Sequence, residues 1–236
     1  MTVRAGLLVV GHVDERARHI AGDYPELFSA LLAPVGIEVV PYAAEHGQLP
    51  TTLDECDGWL CSPSRLSVYD DEPWIKDVED LLRDAIARDR PFVGICFGHQ
   101  LLAQALDGRV ERAAAGWRVG VEHYDVVEER SFMTPALSTC ALIASHEDQV
   151  VDVPPEASVI ARSNDCPVAG LAVGDRIWTV QGHPEFVPEL ADYLLSLRVD
   201  LIGAERVRTA RATLSEGTDQ EAVARWIAAT FVPSRR

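Results

Sequence analysis

Residues 91–100 read PFVGICFGHQ, in which an apolar run leads into a helix-compatible segment and Cys96 stands between the two. Gly94 and Gly98 flank the cysteine, two positions before it and two positions after it. A nucleophile on the sharp turn between a strand and a helix needs small residues at these places, because β-carbons on the adjoining turns would collide. With glycine at about 7% of residues, such a pair of flanks around a given cysteine arises by chance with a probability of order 0.005. The stretch therefore predicts a strand, a nucleophile turn and a helix.

The segments on either side of this turn predict an α/β fold. Short apolar runs indicate buried strands, and stretches with apolar residues at helical spacing lie between them. We predict strands at 5–11, 37–41, 58–61 and 92–95 and helices at about 14–32, 73–90 and 97–106. Strands that alternate with helices are typical of a mostly parallel central sheet with helices packed on its faces.

The rest of the chain continues this unit. Short β-branched runs broken by turn residues predict further strands between 119 and 180, and after Pro188 the pattern becomes helical, in pieces near 189–203, 205–215 and 218–231. No repeat or low-complexity linker divides the sequence. We expect one α/β domain over residues 1–190 and a C-terminal helical extension over 191–236 that packs on the same domain.

Composition excludes several classes of partner. The 236 residues hold 21 Lys and Arg against 37 Asp and Glu, a formal net charge of −16. Nucleic acids and anionic membranes are bound through excess positive charge, so neither is expected as a partner. No apolar stretch approaches the ~20 residues that span a bilayer.

Cysteine usage and missing motifs bear on compartment and cofactors. The five cysteines are an odd number, form no CxxC pair and follow no secretory leader, which predicts a reducing, cytoplasmic location. No GxxxxGK[ST] loop and no GxGxxG after a strand occurs, so no nucleotide cofactor is expected. The cysteines lack the spacing of a zinc site and the carboxylates form no calcium loop, so no metal is expected either.

The position of Cys96 suits nucleophilic attack on a carbonyl carbon. A helix that starts directly after the cysteine points its free N–H groups and the positive end of its dipole at the sulfur, which favours the thiolate. The N–H of Phe97, just past the nucleophile, is the natural first donor to an oxyanion. The alternative interpretation is that Cys96 is one more small buried apolar residue.

A thiolate also needs a proton carrier, and His183 is the strongest candidate among seven histidines. It lies in the stretch QGHPE (181–185), directly after an apolar run. Pro184 favours extended geometry at His183, and residues i and i+2 of an extended segment point the same way. Glu185 can therefore reach the imidazole and orient it, although the bare three-residue pattern is also compatible with a simple turn. His99, on the predicted helix after Cys96, is expected to be a core histidine.

Four segments resemble class I glutamine amidotransferases, which hydrolyse the side-chain amide of glutamine with a Cys-His-Glu triad. They are GICFGHQ (94–100), QGHPEF (181–186), GWLCSPSRLSVYD (58–70) and SHEDQV (145–150). The resemblance covers essentially the whole chain. It is nearest to the stand-alone branch that is similar to the amidotransferase domain of GMP synthase and includes the γ-glutamyl peptidases. It implies a flavodoxin-like sheet flanked by helices.

The resemblance implies a role for individual residues. Cys96 would be the nucleophile, His183 the base and acid, and Glu185 the group that orients the histidine. Gln100 would contact the bound glutamine moiety, and His146 would support substrate binding.

The segment that resembles the oxyanion loop departs from the family pattern. Relatives usually carry two glycines where this chain has Pro63 and Ser64. Proline has no N–H, so the second oxyanion donor, beside Phe97, would be the N–H of Ser64. A residue with a side chain there restricts the loop. Three alternatives stay open for this loop: a weaker oxyanion hole, a loop reshaped for another substrate, or a loop that becomes ordered only on binding. The departure slightly favours a non-standard substrate.

Three hypotheses of function follow. The leading one is hydrolysis of a γ-glutamyl amide, glutamine to glutamate and ammonia, through a thioester on Cys96; its partner would be a separate synthetase that takes the ammonia. A γ-glutamyl peptidase acting on glutathione-like substrates would use the same chemistry, because both scissile bonds are γ-glutamyl amides. A catalytically weak regulatory or partner-binding module is the third. A serine or metal hydrolase lacks its motif in this sequence.

Overall fold

The computed structural model describes residues 2–232. Its strands are β1 (Val3–Val9), β2 (Ile37–Ala43), β3 (Gly58–Cys61), β4 (Phe92–Ile95), β5 (Arg109–Arg112), β6 (Arg118–Val126), β7 (Thr139–His146), β8 (Asp148–Asp152), β9 (Ser158–Arg162), β10 (Gly170–Val173) and β11 (Ile177–Val180). Its α-helices are α1 (Arg18–Ala21), α2 (Tyr24–Leu32), α3 (Pro73–Ala87), α4 (Phe97–Ala105), α5 (Pro188–Leu197), α6 (Val199–Ile202), α7 (Ala204–Thr213) and α8 (Gln220–Phe231).

A nine-stranded sheet with the order β2-β1-β3-β4-β11-β10-β9-β6-β7 runs through the molecule, and β5 pairs with β8 in a separate two-stranded sheet. The strands from β2 to β11 in this order are parallel, and the remaining ones pair antiparallel. The predicted α/β fold is confirmed, and β4 is one of the five parallel strands. In that part, β4 pairs with β3 on one side and with β11 on the other.

Helices cover both faces of the sheet and close two apolar cores. Buried residues of α2, α5 and α8 belong to one core, and buried residues of α3 and α4 belong to the other. Trp178 of β11 stacks on Phe132 with ring centroids 4.8 Å apart and donates its indole N–H to Thr230 of α8 at 2.7 Å. The last described helix therefore packs directly against the sheet; residues 233–236 of the predicted extension lie outside the described part.

The predicted helix over 14–32 was wrong as a continuous element. A short 3-10 turn (Glu15–Ala17) and α1 end at Gly22, whose φ is +86°, and a new helix starts after Asp23. The Asp23 carboxylate accepts from the backbone N–H of Tyr24, and Glu26 accepts from the N–H of Asp23, which forms a capping box. The apolar residues keep helical spacing through the whole stretch, but Gly22 and the capping box divide it into two helices.

Two further properties concern the cysteines and the helices. All five cysteines are buried and unpaired. Across residues 2–232, no helix has both the length and the apolar composition required to cross a bilayer.

Candidate active site

Cys96 stands at the carboxyl end of β4 with a backbone conformation of φ 52° and ψ −95°. A positive φ is costly for a residue with a side chain and persists only where the surroundings impose it. Here the N–H of Cys96 donates to the carbonyl of Val180 at 2.9 Å, and α4 begins with the next residue. The strand pairing and the helix together hold the cysteine on a strained turn, as the sequence predicted.

The flanking glycines are required by close packing. A Cβ on Gly94 would lie 2.4 Å from the carbonyl oxygen of Gly98 and 2.8 Å from Thr179 Cγ2. A Cβ on Gly98 would lie 2.9 Å from Cys61 Cβ and 3.0 Å from the Cys61 carbonyl oxygen. All four distances are shorter than ordinary contacts of a Cβ atom, so the prediction that side chains would collide at these positions is confirmed.

Substitution of Gly94 by alanine is expected to lower the free energy of unfolding by about 3 kcal/mol, at the upper end of the usual cost of overpacking a tight core. The two nearest colliding atoms at Gly94 belong to the Gly98 backbone and cannot turn away. Gly174→Ala is the matched control, because Gly174 has a φ of +62° but open space around it, and strain alone costs about 1–2 kcal/mol. Urea denaturation of both variants measures the difference, and equal losses would contradict the crowding explanation.

His183 and Glu185 form a buried pair next to Cys96. His183 Nδ1 lies 2.8 Å from Glu185 Oε1, and the backbone N–H of His183 donates to the carbonyl of Ile143 in β7 at 2.8 Å. The imidazole also stacks on Phe186, with ring centroids 4.2 Å apart. Its Nε2 is buried without a hydrogen bond of standard geometry among the described residues, so it is available to a proton from the sulfur or the substrate. The predicted contact of Glu185 with the imidazole is confirmed.

The charge state of His183 follows from its neighbours. Burial lowers the pKa of the imidazole, but the Glu185 carboxylate and Cys96 outweigh burial and raise this pKa to about 10. The ring therefore carries its proton at neutral pH. A protonated imidazole beside a cysteine stabilises the thiolate and can give its proton to a leaving nitrogen.

Gln181, which the sequence reasoning did not single out, lies against the nucleophile. Its Nε2 is 3.5 Å from Cys96 Sγ, and its side chain is fully buried. The parallel register that pairs Val180 with Ile95 places the residues after both strands side by side. Gln181 belongs to the QGHPE stretch, but its neighbours in the sequence do not predict a contact with Cys96. The contact follows from the pairing of β4 with β11.

Gln100 and His146, the two residues predicted to contact substrate, are both buried. Gln100 Nε2 donates to the carbonyl of Asp148 at 2.9 Å and to Gln181 Oε1 at 3.1 Å, so both of its amide hydrogens already have protein acceptors. His146 Nδ1 bonds the same Asp148 carbonyl at 3.1 Å, and its Nε2 has no partner within residues 2–232. Burial lowers the pKa of His146 to about 3, so the ring is neutral. Substrate contact by either side chain stays a prediction.

The segment after β3 lies between an open groove and strand β8. Ser64 lines an open groove of about 560 Å³ together with residues 11–16, 18, 45, 65 and 66. The side chains of Ser67 and Tyr69 both donate to the carboxylate of Asp148 and tie the segment to β8. Phe97 is the first residue of α4, so its N–H has no acceptor within the helix. The oxyanion roles of Phe97 and Ser64 stay predictions.

His99 is a core residue, as predicted. Its Nδ1 bonds Thr179 Oγ1 at 2.8 Å and its Nε2 bonds the carbonyl of Val168 at 3.0 Å. Burial lowers the pKa of His99 to about 4, so the ring is neutral and both nitrogens are used.

One cluster of side chains has the composition of a metal site. Ligand atoms of His12, Glu45 and His46 lie within 4.8 Å of one another. The two nitrogens of His12 already contact carboxylates, Asp23 at 2.7 Å and Glu45 at 2.6 Å. The cluster is partly exposed and the chemistry around Cys96 does not involve it.

Comparisons with known proteins show which family the sequence is similar to. Residues 28–197 match the sequence profile of the family described as glutamine amidotransferase class-I. Gamma-glutamyl peptidase 3 of Arabidopsis thaliana is 26% identical over 82% of this chain and 82% of its own length. GMP synthase [glutamine-hydrolyzing] of Aeropyrum pernix is 31% identical over 78% of this chain, which spans 35% of that protein. Both names denote enzymes.

Solved structures show the same fold. A glutamine amidotransferase from Thermotoga maritima superimposes with a TM-score of 0.76 at 18% identity, covering 98% of this chain and 96% of that one. A glutamine amido transferase from Methylobacillus flagellatus gives a TM-score of 0.72 at 22% identity, over 97% of this chain and 92% of the other. At such identities the likeness establishes the architecture alone.

Proposed function

Because the chain belongs to the class I glutamine amidotransferase family, a family of enzymes, we propose that it is a cysteine hydrolase of γ-glutamyl amides. One arrangement carries the proposal. A buried imidazole, hydrogen-bonded to Glu185 at 2.8 Å, sits beside Cys96 on a strained strand-to-helix turn. A nucleophile, a proton carrier and an orienting carboxylate are the three parts that acyl transfer from an amide requires.

In the first half of the reaction, the Cys96 thiolate attacks the carbonyl carbon of the γ-amide and a C–S bond forms. The His183 imidazolium gives its Nε2 proton to the leaving nitrogen, and the C–N bond breaks. The products are a γ-glutamyl thioester and a free amine, or ammonia when glutamine is the substrate. Glu185 holds Nδ1–H of His183 and so turns Nε2 toward the reacting atoms.

In the second half, His183 takes a proton from water as the water oxygen attacks the thioester carbonyl. The C–S bond then breaks, glutamate leaves and the thiolate is restored. The negative oxygen that forms in each half needs N–H donors. The N–H groups of Phe97 and Ser64 are proposed for this role, because Pro63 has no N–H to offer.

Glutamine is the first candidate substrate. As a glutaminase the chain would release ammonia, and a separate synthetase subunit would use it. The likeness to GMP synthase [glutamine-hydrolyzing] supports this candidate. Substrate contact by Gln100 and His146 belongs to this proposal.

A γ-glutamyl peptide is the second candidate substrate. The relatives named γ-glutamyl peptidases match over most of both chains, and a serine stands where the oxyanion loop of the family usually has glycine. A peptidase would need no synthetase partner. A catalytically weak module with the same fold is the third candidate, for which the proline at position 63 is the main argument.

We propose further that residues 1–190 form the catalytic unit and that the extension after it, described as far as residue 232, packs as helices on the same body. The buried indole bond between β11 and α8 supports this organisation. The proposed reaction uses no cofactor and no metal. Five unpaired cysteines support a cytoplasmic location.

The substrate class can be decided by mass spectrometry of the purified protein mixed with equal concentrations of glutamine and several γ-glutamyl peptides, glutathione among them. We expect glutamate to be released and to depend on Cys96. Faster consumption of glutamine would identify an ammonia donor, and faster consumption of a peptide would identify a peptidase. Turnover of none of these substrates would contradict hydrolysis by the isolated chain.

A further inference from the structure

Two buried glutamines connect the backbone of β8 to the sulfur of Cys96. The carbonyl of Asp148 accepts from Gln100 Nε2 at 2.9 Å, and the same Nε2 donates to Gln181 Oε1 at 3.1 Å. Gln181 Nε2 then points at Cys96 Sγ at 3.5 Å. Gln181 is fully buried and Gln100 is 4% exposed, so no water competes freely for these bonds.

The order of donors in this chain of hydrogen bonds is set at the Asp148 end. A backbone carbonyl can only accept, so the group of Gln100 that faces it must be the NH₂ group. Because that NH₂ group also meets Gln181, the atom of Gln181 facing it must be the oxygen. The remaining end of the Gln181 amide, its NH₂ group, is therefore turned to the sulfur.

We propose that Gln181 is a catalytic residue that donates a hydrogen bond to the Cys96 thiolate, and that Gln100 is a positioning residue that fixes the Gln181 amide in this orientation. The proposal rests on the proposed role of Cys96 as the nucleophile. A buried donor aimed at the sulfur favours the charged form over the neutral thiol, in addition to the charge of His183. Gln100 acts without touching the sulfur.

Other charged or titratable groups lie close enough to interact electrostatically with Cys96 or with the His183 beside it. They are His183 and Glu185 after β11, Tyr24 of α2, Tyr124 of β6, Cys166 before β10 and Arg198 at the end of α5. Burial raises the pKa of Tyr24 and Tyr124 far above the usual value, and that of Cys166 to about 12. These three therefore stay neutral over the pH range in which a thiolate effect would be measured.

The test is the pH dependence of Cys96 alkylation by iodoacetamide, followed site by site with mass spectrometry, because only the thiolate reacts. Gln181→Leu removes the donor. We expect the pH of half-maximal rate to rise by about one to two units, since a hydrogen bond to a charged group contributes on the order of tenfold to a hundredfold. The matched control is Gln149→Leu, which removes a buried amide that bonds the Asp165 carbonyl instead and should leave the midpoint unchanged.

Gln100→Leu distinguishes positioning from simple packing. Leucine offers no donor to the Gln181 oxygen, so nothing at position 100 holds the Gln181 amide with its NH₂ group toward the sulfur. The midpoint should then rise, by no more than in Gln181→Leu, while in the Gln181→Leu background the same change should have no further effect. Additive shifts in the double variant, or an unchanged midpoint in Gln100→Leu, would overturn the positioning role.

An unchanged midpoint in a folded Gln181→Leu protein would overturn the role of Gln181. Thermal melting establishes folding, and Gln181→Met, unbranched and of similar length, replaces the leucine variant should that one fail to fold. Alkylation requires no turnover. A shifted midpoint in a protein that hydrolyses no γ-glutamyl substrate would therefore reject the proposed function and leave the Gln181 contact standing.

Discussion

Replacement of Cys96 by alanine is expected to lower hydrolysis of any γ-glutamyl substrate by on the order of 10⁴–10⁶, the loss typical of removing the nucleophile from a triad. Alanine has no sulfur, so no thioester can form, and the strained turn is left with a smaller side chain that fits the same space. The measurement is release of glutamate by mass spectrometry, with substrate well above KM. Addition of substrate to the native enzyme should also increase the mass of the Cys96 peptide by one γ-glutamyl group when the reaction is quenched early.

Cys140→Ala is the matched control for this variant. Cys140 lies buried in β7, and burial raises the pKa of its thiol to about 12, so it is not a thiolate at neutral pH. Its removal should leave turnover within about threefold of the native rate, since it enters no step of the reaction. Equal rates of hydrolysis in Cys96→Ala and native protein would reject Cys96 as the nucleophile, and absence of turnover from both would favour the binding module.

Glu185→Gln is expected to lower kcat by about 10⁴, as loss of the orienting carboxylate does in other triads. The amide keeps the shape of the side chain but loses its charge and offers a donor group where His183 Nδ1–H now finds an acceptor. The Glu185 carboxylate is one of the groups that raise the pKa of His183 to about 10 against burial, so this pKa should fall in the variant. The ring then loses its proton at lower pH, and the imidazolium form that protonates the leaving nitrogen becomes scarcer at neutral pH.

A pH profile of kcat checks this prediction. The limb that reports loss of the His183 proton should move toward lower pH in Glu185→Gln. Glu147→Gln serves as control because Glu147 is a partly exposed carboxylate beside Arg112, outside the buried pair. A Glu185→Gln variant that keeps more than a tenth of native kcat would show that the carboxylate does not orient His183.

Much of the fold follows from local patterns in the sequence. Strands β3 and β4 begin and end where the apolar runs do, because a strand buried on both faces must be apolar throughout. The helix predicted over 14–32 failed for an equally local reason. Asp23 and Glu26 form a capping box that starts a new helix, although the apolar residues keep helical spacing on both sides of it.

The sequence by itself determined the parts of the site that short-range sterics control. The glycines around Cys96 mark a turn too tight for side chains, and Pro184 aligns His183 with Glu185 because extended residues two apart share a face. The assignment of the triad as a set came from resemblance to a known family.

Only the tertiary structure decided which side chains meet across long separations. Gln181 and Cys96 are 85 residues apart, and they touch because β11 pairs with β4 in a register that aligns Val180 with Ile95. Gln100 reaches Asp148 across 48 residues because helix α4 packs against strand β8. Local patterns record which face of an element is buried, whereas the partner on that face is set by strand order and register, and these depend on the packing of the whole chain.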